Sequence, residues 1–369
     1  MRGTYDWNSR QIRGRPDYGY EICYWDGIGK RNDLTGGFSM DVQNAAEDNR
    51  LSFKKILGLI GILYDRIGIL LLLLVMVVAL STVTPHFLTK VNIINLVRQT
   101  SFIAIIAIGS TIVMITMGID LSPGSLVGIT SVIVASYAHP NQMPLVGALA
   151  IGLLVGIVAG LINGTLISYL GLAPFIVTLG MYTAARGAAM VYTNGIPITN
   201  FSSNFLFIGA GDIFGIPVPI IILLVVAVIF HFMLTRTRFG RHIYAIGGNE
   251  HAAVISGINV KRVKVLVYVL AGVLASVSGI ALTARIASGQ PSLGLGYELD
   301  AITAAVVGGT SLTGGKGSVF GTISGALVIG VINNGMDLLN CNVFWQQVIK
   351  GIIIVLAVLI DQLQKRRTA

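Results

Sequence analysis

Long apolar runs broken by short polar stretches recur from Ile67 to the end of the chain, and their spacing predicts ten helices that cross a bilayer. A hydrocarbon core about 30 Å thick requires roughly 20 apolar residues per upright helix. The runs fall near 66–84, 97–118, 122–138, 143–168 and 171–192, then near 216–234, 263–285, 299–312, 318–338 and 344–361. The eighth is too short to span upright. The expected fold is all-α and polytopic, with some helices short or broken.

Glycine adds a second pattern. Gly152, Gly156, Gly160 and Gly164 recur every fourth residue in the fourth run, and Gly317, Gly321 and Gly325 in the ninth. Such stripes let helix backbones approach closely in lipid. Tight packing is the expected role, with pore lining as the alternative. Gly124-Ser125-x-x-Gly128 is similar to Gly317-Ser318-x-x-Gly321, and Asn163-Gly164 to Asn334-Gly335, which suggests two weakly related halves. The offsets, 193 and 171 residues, leave about one helix extra in the first half.

Composition supports lipid as the main solvent: 54% of residues are hydrophobic and 11% charged, against about 25% charged in a soluble domain. The net charge of +9 could point to nucleic acid, but residues 1–50 hold seven Lys/Arg against eight Asp/Glu, so the excess lies in the apolar part. There it reads as topology, because Lys and Arg collect on the cytoplasmic side. Arg236, Arg238, Arg241, Lys261, Arg262 and Lys264 place one connection inside, and Lys365, Arg366 and Arg367 place the C-terminus there. With Lys54 and Lys55 also inside, ten crossings leave 193–215, which has no Lys or Arg, outside. Residues 1–50 are polar, without the apolar stretch of a signal peptide, and read as a disordered cytoplasmic tail ahead of a transmembrane domain over 51–369. The tail's aromatics, Tyr5, Trp7, Tyr18, Tyr20, Tyr24 and Trp25, leave room for a binding role.

Polar residues inside apolar runs are the candidates for function, since a charge at membrane depth costs a few kcal/mol and usually faces a partner or cavity. Gly118-Ile-Asp-Leu-Ser-Pro-Gly-Ser125 breaks the second and third runs with a carboxylate, two hydroxyls, Pro and Gly. It is either a turn at the membrane surface or a break buried against protein or a water-filled path. Asp120, Ser122, Asn163, Arg186, Asn194, Asn333 and Asn334 form the candidate path, with Lys350 a further charge in the tenth run. Arg186 could instead snorkel to the interface. Glu298 and Asp300 open a short apolar helix, where its dipole favours carboxylates.

Chemical motifs are missing. Gly309 to Ser318 looks like a phosphate loop, but Thr310 and Gly317 stand where that pattern needs Gly and Ser or Thr. The five His are scattered, and Cys23 and Cys341 lack metal spacing. Neither a catalytic residue nor a metal is expected. The basic connection is more informative: Asn249 can cap a short helix through Ala252, Ala253 and Ile255 to Ser256, and Gly257 can end it. A plain surface turn is the alternative.

These residues resemble the permeases of bacterial ribose-type ABC importers. The resemblance covers about 66–361 and rests on Gly118-Ile-Asp-Leu-Ser122 with Gly124-Ser125, Met190-Val-Tyr-Thr-Asn-Gly195, Gly240-Arg-x-Ile-Tyr-Ala-x-Gly-Gly-Asn-Glu250, Ser256-Gly-Ile-Asn259, Gly296-Tyr-Glu-Leu-Asp-Ala-Ile302 and Gly308-Gly-Thr-Ser-Leu-x-Gly-Gly-Lys-Gly317. It implies a homodimer in the bacterial inner membrane that passes ribose or a similar small sugar along its axis. A cytoplasmic ATPase subunit would lie below and a periplasmic sugar-binding protein above. ATP and Mg would act on the ATPase, so this chain would bind no cofactor, hydrolyse nothing and have lipid but no nucleic acid as a further partner. Residues 235–262 would form the coupling loop, with Gly247, Gly248, Asn249, Glu250, Ala253, Ser256 and Gly257 against the ATPase. The polar tail and Pro123 depart from the family pattern. Rival readings are another monosaccharide, such as galactose, xylose or a furanose; an ion-coupled secondary transporter relying on Asp120; and an intramembrane enzyme, which would need paired polar residues facing one cavity.

Overall fold

The computed structural model describes residues 68–140 and 143–368. The expected tail, with Cys23, Lys54 and Lys55, lies outside the described residues. Among them are thirteen helices and one two-stranded hairpin: α1 Gly68–Val83, α2 Lys90–Ile115, α3 Pro123–Tyr137, α4 Leu145–Ser168, α5 Pro174–Thr193, α6 Ser203–Ala210, β1 Asp212–Ile213, β2 Ile216–Pro217, α7 Val218–Arg236, α8 Arg238–Gly248, α9 Glu250–Ile255, α10 Val260–Ile286, α11 Tyr297–Val307, α12 Val319–Leu338 and α13 Val343–Thr368. Each expected run corresponds to a helix, and α2, α4, α7, α10 and α12 are long and apolar enough to cross a membrane.

Two helices start earlier than their apolar runs because of caps. Helix α2 starts seven residues before its apolar run, at Lys90, because Thr89 accepts a hydrogen bond from the Asn92 amide at 3.4 Å. Its first turns carry Lys90, Asn92 and Asn95, which hide a helix from a hydrophobicity reading. Asn259 likewise starts α10 early by accepting from the Arg262 amide at 3.1 Å. The connection 193–215 is not bare loop but holds α6 and leads into the β1–β2 hairpin.

Helix α2 is the axis of the bundle, buried at every position from Thr100 to Ile115. Lipid supplies no hydrophobic drive between apolar helices, so packing rests on small residues and hydroxyl bridges. Gly109 lies on the Ala271 backbone of α10, Ser278 of α10 donates to the Phe102 carbonyl at 2.9 Å, and Thr111 meets Thr322 of α12 at 2.6 Å. The glycine stripe of α4 packs as expected: a Cβ on Gly156 would stand 2.1 Å from the Gly272 carbonyl, and one on Gly160 2.5 Å from that of Tyr268. Gly321 and Gly325 of α12 approach Gly308 and Ala304 at the end of α11 in the same way. The paired sequence matches occupy similar places, Gly124-Ser125 and Gly317-Ser318 at the starts of α3 and α12, Asn163-Gly164 and Asn334-Gly335 in the last two turns of α4 and α12.

Candidate functional site

The stretch between α2 and α3 is a buried break, not a surface turn. Met117 takes a left-handed φ of 62°, and the chain stays non-helical to Ser122. Backbone released in this way must be satisfied by protein. Asp120 Oδ1 accepts from the Ser122 amide at 2.8 Å and from its hydroxyl at 2.6 Å. Asn163 Nδ2 of α4 donates to Ser122 Oγ at 3.2 Å, and Thr178 of α5 donates to the Ile119 carbonyl at 3.1 Å. Asp120 is 3% exposed, Ser122 0% and Asn163 1%. Around them Asn163 Oδ1, Ser125 Oγ and the Tyr268 hydroxyl are buried without partners, and the Tyr268 hydroxyl stands against Gly118, where a Cβ would come within 2.6 Å.

Arg186 turns inward from α5 and does not snorkel. Its guanidinium donates to the Leu293 carbonyl at 2.9 Å, to the Gly124 carbonyl at 3.0 Å and to that of Pro291. Residues 287–296 are non-helical, with left-handed φ at Ala287, Gly294 and Gly296. Arg186 lies twelve residues into α5, about 18 Å along it. There an irregular segment needs donors, and a guanidinium has five in a fixed fork. The partly buried side chain is thus a clamp joining α5, the start of α3 and this segment.

Glu298 and Asp300 do stand in the first turn of α11, yet Gly296 caps that helix without a side chain. Asp300 instead accepts from Lys350 of α13 at 2.9 Å, and Asn333 of α12 joins them around a small cavity. Glu298 packs on Gly124, its Oε2 buried and unpartnered. Asn334 exchanges two amide bonds with Asn92 of α2, at 2.8 and 2.9 Å. Asn194 is exposed at the end of α5 in the left-handed region, φ 51°. The structure therefore brings Asp120, Ser122 and Asn163 together but holds Arg186, Asn333, Asn334 and Asn194 in four other places.

The basic connection forms a helical elbow. Asn249 ends α8 and caps α9, its Oδ1 accepting from the Ala252 amide at 3.0 Å; Ser256 donates to the Ala252 carbonyl at 2.8 Å, and Gly257 follows at φ 80°. Gly247 is pressed onto the Ile115 carbonyl at the end of α2 and onto Gly315, whereas Gly248 faces open space. Glu250 pairs with Lys264 of α10 at 2.8 Å. Helix α9 buries Ala253 and leaves Val254 57% and Ile255 87% exposed.

Sequence reasoning missed α8, although Thr237, which accepts from the Gly240 amide at 3.1 Å, and the spacing of buried Gly240, Ile243, Ile246 and Gly247 signal it. It also missed Tyr244, whose hydroxyl donates to the Gly317 carbonyl at 2.8 Å. Burial pushes that phenol's pKa up, which keeps it a donor. The Gly-rich loop 308–318 thereby rests on the elbow and on α2, where the Gly315 amide donates to the Ile115 carbonyl at 3.0 Å. Three of the motif stretches singled out in the sequence meet at this end of the bundle.

Several helices leave a broad face uncovered, α1, α4 and α13 among them, and α5 and α7 show two kinds of face. Helix α7 exposes Leu224, Val225, Val228, Ile229 and Phe232. The middle of α5 exposes Gly180, Thr183, Ala184, Gly187 and Ala188, and a Cβ on Gly180 or Gly187 would meet nothing within 4 Å.

A bundle of apolar helices with a buried helix break, a small-residue face and a basic elbow is the architecture of a multi-pass membrane protein. The family described as branched-chain amino acid transport system / permease component matches residues 92–358, and the chain belongs to it. It is 46% identical to the ribose import permease protein RbsC of Escherichia coli (strain K12) over 296 residues, 79% of this chain and 92% of that one. The RbsC of Bacillus subtilis (strain 168) is 46% identical over 300 residues, 81% and 93% of the two chains. The D-allose transport system permease protein AlsC of Escherichia coli (strain K12) is 38% identical over 304 residues, 82% and 93%. No solved structure matches the chain.

Proposed function

We propose that this chain is the membrane-spanning subunit of an ATP-driven importer for ribose or a similar small sugar. Two copies stand side by side in the bacterial inner membrane, both termini of each in the cytoplasm. A periplasmic binding protein delivers the sugar, and a cytoplasmic ATPase subunit binds ATP and Mg and drives the cycle. The observation that carries this reading is the elbow: a capped helix on a basic connection that presents Val254 and Ile255 to water. A charged hinge and an uncovered apolar tip suit docking onto a soluble partner. The path runs between the α5 faces of the two copies, because small side chains leave room there and Thr183 adds one hydroxyl oxygen that can accept from a polar, uncharged cargo. Ribose is favoured over allose by the higher identity to the ribose import permeases.

Reconstitution with the ATPase and the binding protein in vesicles tests this. Ribose should stimulate ATP hydrolysis and enter the vesicles, and Ile255→Ser should weaken ATPase binding. Stimulation by allose or xylose but not ribose would move the substrate assignment and leave the architecture. Uptake without ATP, driven by a proton gradient, would contradict the reading.

A further inference from the structure

Three motif stretches converge on the elbow, but the elbow is fastened to the bundle in two different ways. Helix α8 is held by close neutral contacts, Gly247 on Ile115 and Gly315, and Tyr244 on Gly317. Helix α9 buries one residue, Ala253. Its charged tie to the bundle is Glu250, which accepts from Lys264 through both carboxylate oxygens, at 2.9 and 2.8 Å. The Lys264 side chain is 19% exposed and that of Glu250 41%. An ion pair this exposed contributes little to folding, so its position asks for another explanation.

Lys264 sits in the second turn of α10, and Tyr268 lies one turn further on, on the same face. Tyr268 is 2% exposed, and its hydroxyl abuts Gly118 in the break between α2 and α3. Two residues beyond Gly118, Asp120 holds Ser122, and Ser122 is held in turn by Asn163 of α4. Helix α4 cannot slip against α10 there, because Gly160 and Gly164 lie on the backbones of Tyr268 and Val265. An unbroken series of contacts therefore runs from the docking tip through α10 to the broken helix. The last contact is with irregular backbone, which can rearrange without breaking a helical ladder.

We propose that Lys264 is a positioning residue of the transport cycle: its bidentate pair with Glu250 makes α10 the lever through which displacement of α9 reaches the break at 116–122, with Tyr268 as the point of delivery. This rests on the docking role of α9 proposed above. Lys264 touches neither cargo nor nucleotide and acts by keeping α9 and α10 moving together. Loss of the pair should leave the ATPase bound and hydrolysing while less sugar moves per ATP.

The test uses the full complex of this chain, ATPase and binding protein in vesicles. Its readout is sugar delivered per ATP hydrolysed, together with ATPase retention and the melting temperature. Lys264→Gln should lower the ratio at least threefold with retention and melting unchanged. Lys264→Arg should keep the ratio, and the exchanged pair Glu250→Lys with Lys264→Glu should recover at least half of it. Tyr268→Phe removes the hydroxyl that abuts Gly118 and should lower the ratio, and Tyr268→Ala should fall with Lys264→Gln. An unchanged ratio in Lys264→Gln, or no recovery in the exchanged pair while the complex stays assembled, would overturn the proposal. If the unsubstituted complex assembles and transports but Ile255→Ser binds the ATPase normally, the docking role itself fails, and the lever falls with it.

Discussion

Helices α5 and α7 both leave a broad face uncovered, yet the middle turns of α5, between exposed Ile176 and Val191, show side chains opposite to those of α7. Helix α7 anchors itself with Leu223, Val226 and Phe230 and turns Leu224, Val228, Ile229 and Phe232 outward. Lipid tails accept such a face at no cost, since large aliphatic side chains fill the space beside them. Helix α5 turns Gly180, Ala184 and Gly187 outward in its middle turns and holds itself to the bundle through Arg186. Small residues leave backbone and voids against lipid but let a second helix or a cargo come close. The difference is what supports the proposal of lipid on one face and an assembly partner on the other.

The largest effect should come from the inward side of α5. Arg186→Ala strands three carbonyls, those of Gly124, Pro291 and Leu293, where water is scarce, at a cost on the order of 3–5 kcal/mol. Thermal melting in detergent would register it, with Arg186→Lys intermediate because an ammonium cannot span the same fork. A loss under about 1 kcal/mol would mean that α5 is held by packing after all.

Ile255→Ser comes next, and it asks whether an uncovered apolar face away from lipid behaves as a partner surface. If Ile255 docks on the ATPase as proposed, its replacement should weaken the complex by about 2 kcal/mol, roughly 30-fold in affinity. Titration of the ATPase onto the reconstituted chain would measure this, and the same substitution at Ile229 on α7 should leave the affinity unchanged.

Filling the small face sharpens the contrast directly. Gly187→Leu should cut sugar uptake about tenfold, equivalent to about 1.4 kcal/mol, with ATPase binding intact. Val228→Leu on α7 should change uptake less than twofold.

A smaller effect belongs to a pair remote from both faces. Asn334→Ala leaves Asn92 without its partner amide and should lower stability by about 1 kcal/mol, seen in the same melting experiment.

Helices that announce themselves by continuous apolar runs were legible in the sequence, as were the α4 and α12 glycines, because close backbone approach in lipid needs a four-residue repeat that a reader can count. The Asn249 cap and the Gly257 stop were legible for the same local reason. What escaped was pairing between distant residues: Lys350 finds Asp300 fifty positions away and Asn334 finds Asn92 across 242, and no local pattern records such contacts. Of the seven polar residues read as one path, Arg186, Asn333 and Asn334 lie apart from Asp120, Ser122 and Asn163 for that reason. Asn163, Arg186, Asn333 and Asn334 are unusual in apolar helices, but the partner of each, not its own type, decides its place. Helix α8 escaped because its basic, glycine-containing sequence resembles a loop until Ile243 and Ile246 are seen to share a face.

In the proposed arrangement the small face of α5 meets a second copy along the path. Single cysteines at Ala184, Gly187 and Val228, in a chain with Cys23 and Cys341 replaced by Ser, would test it by oxidative cross-linking in vesicles. Cross-linked dimers from positions 184 or 187 that lose sugar uptake, with position 228 staying monomeric, are the predicted result. Cross-linking through 228 and none through α5 would contradict the account.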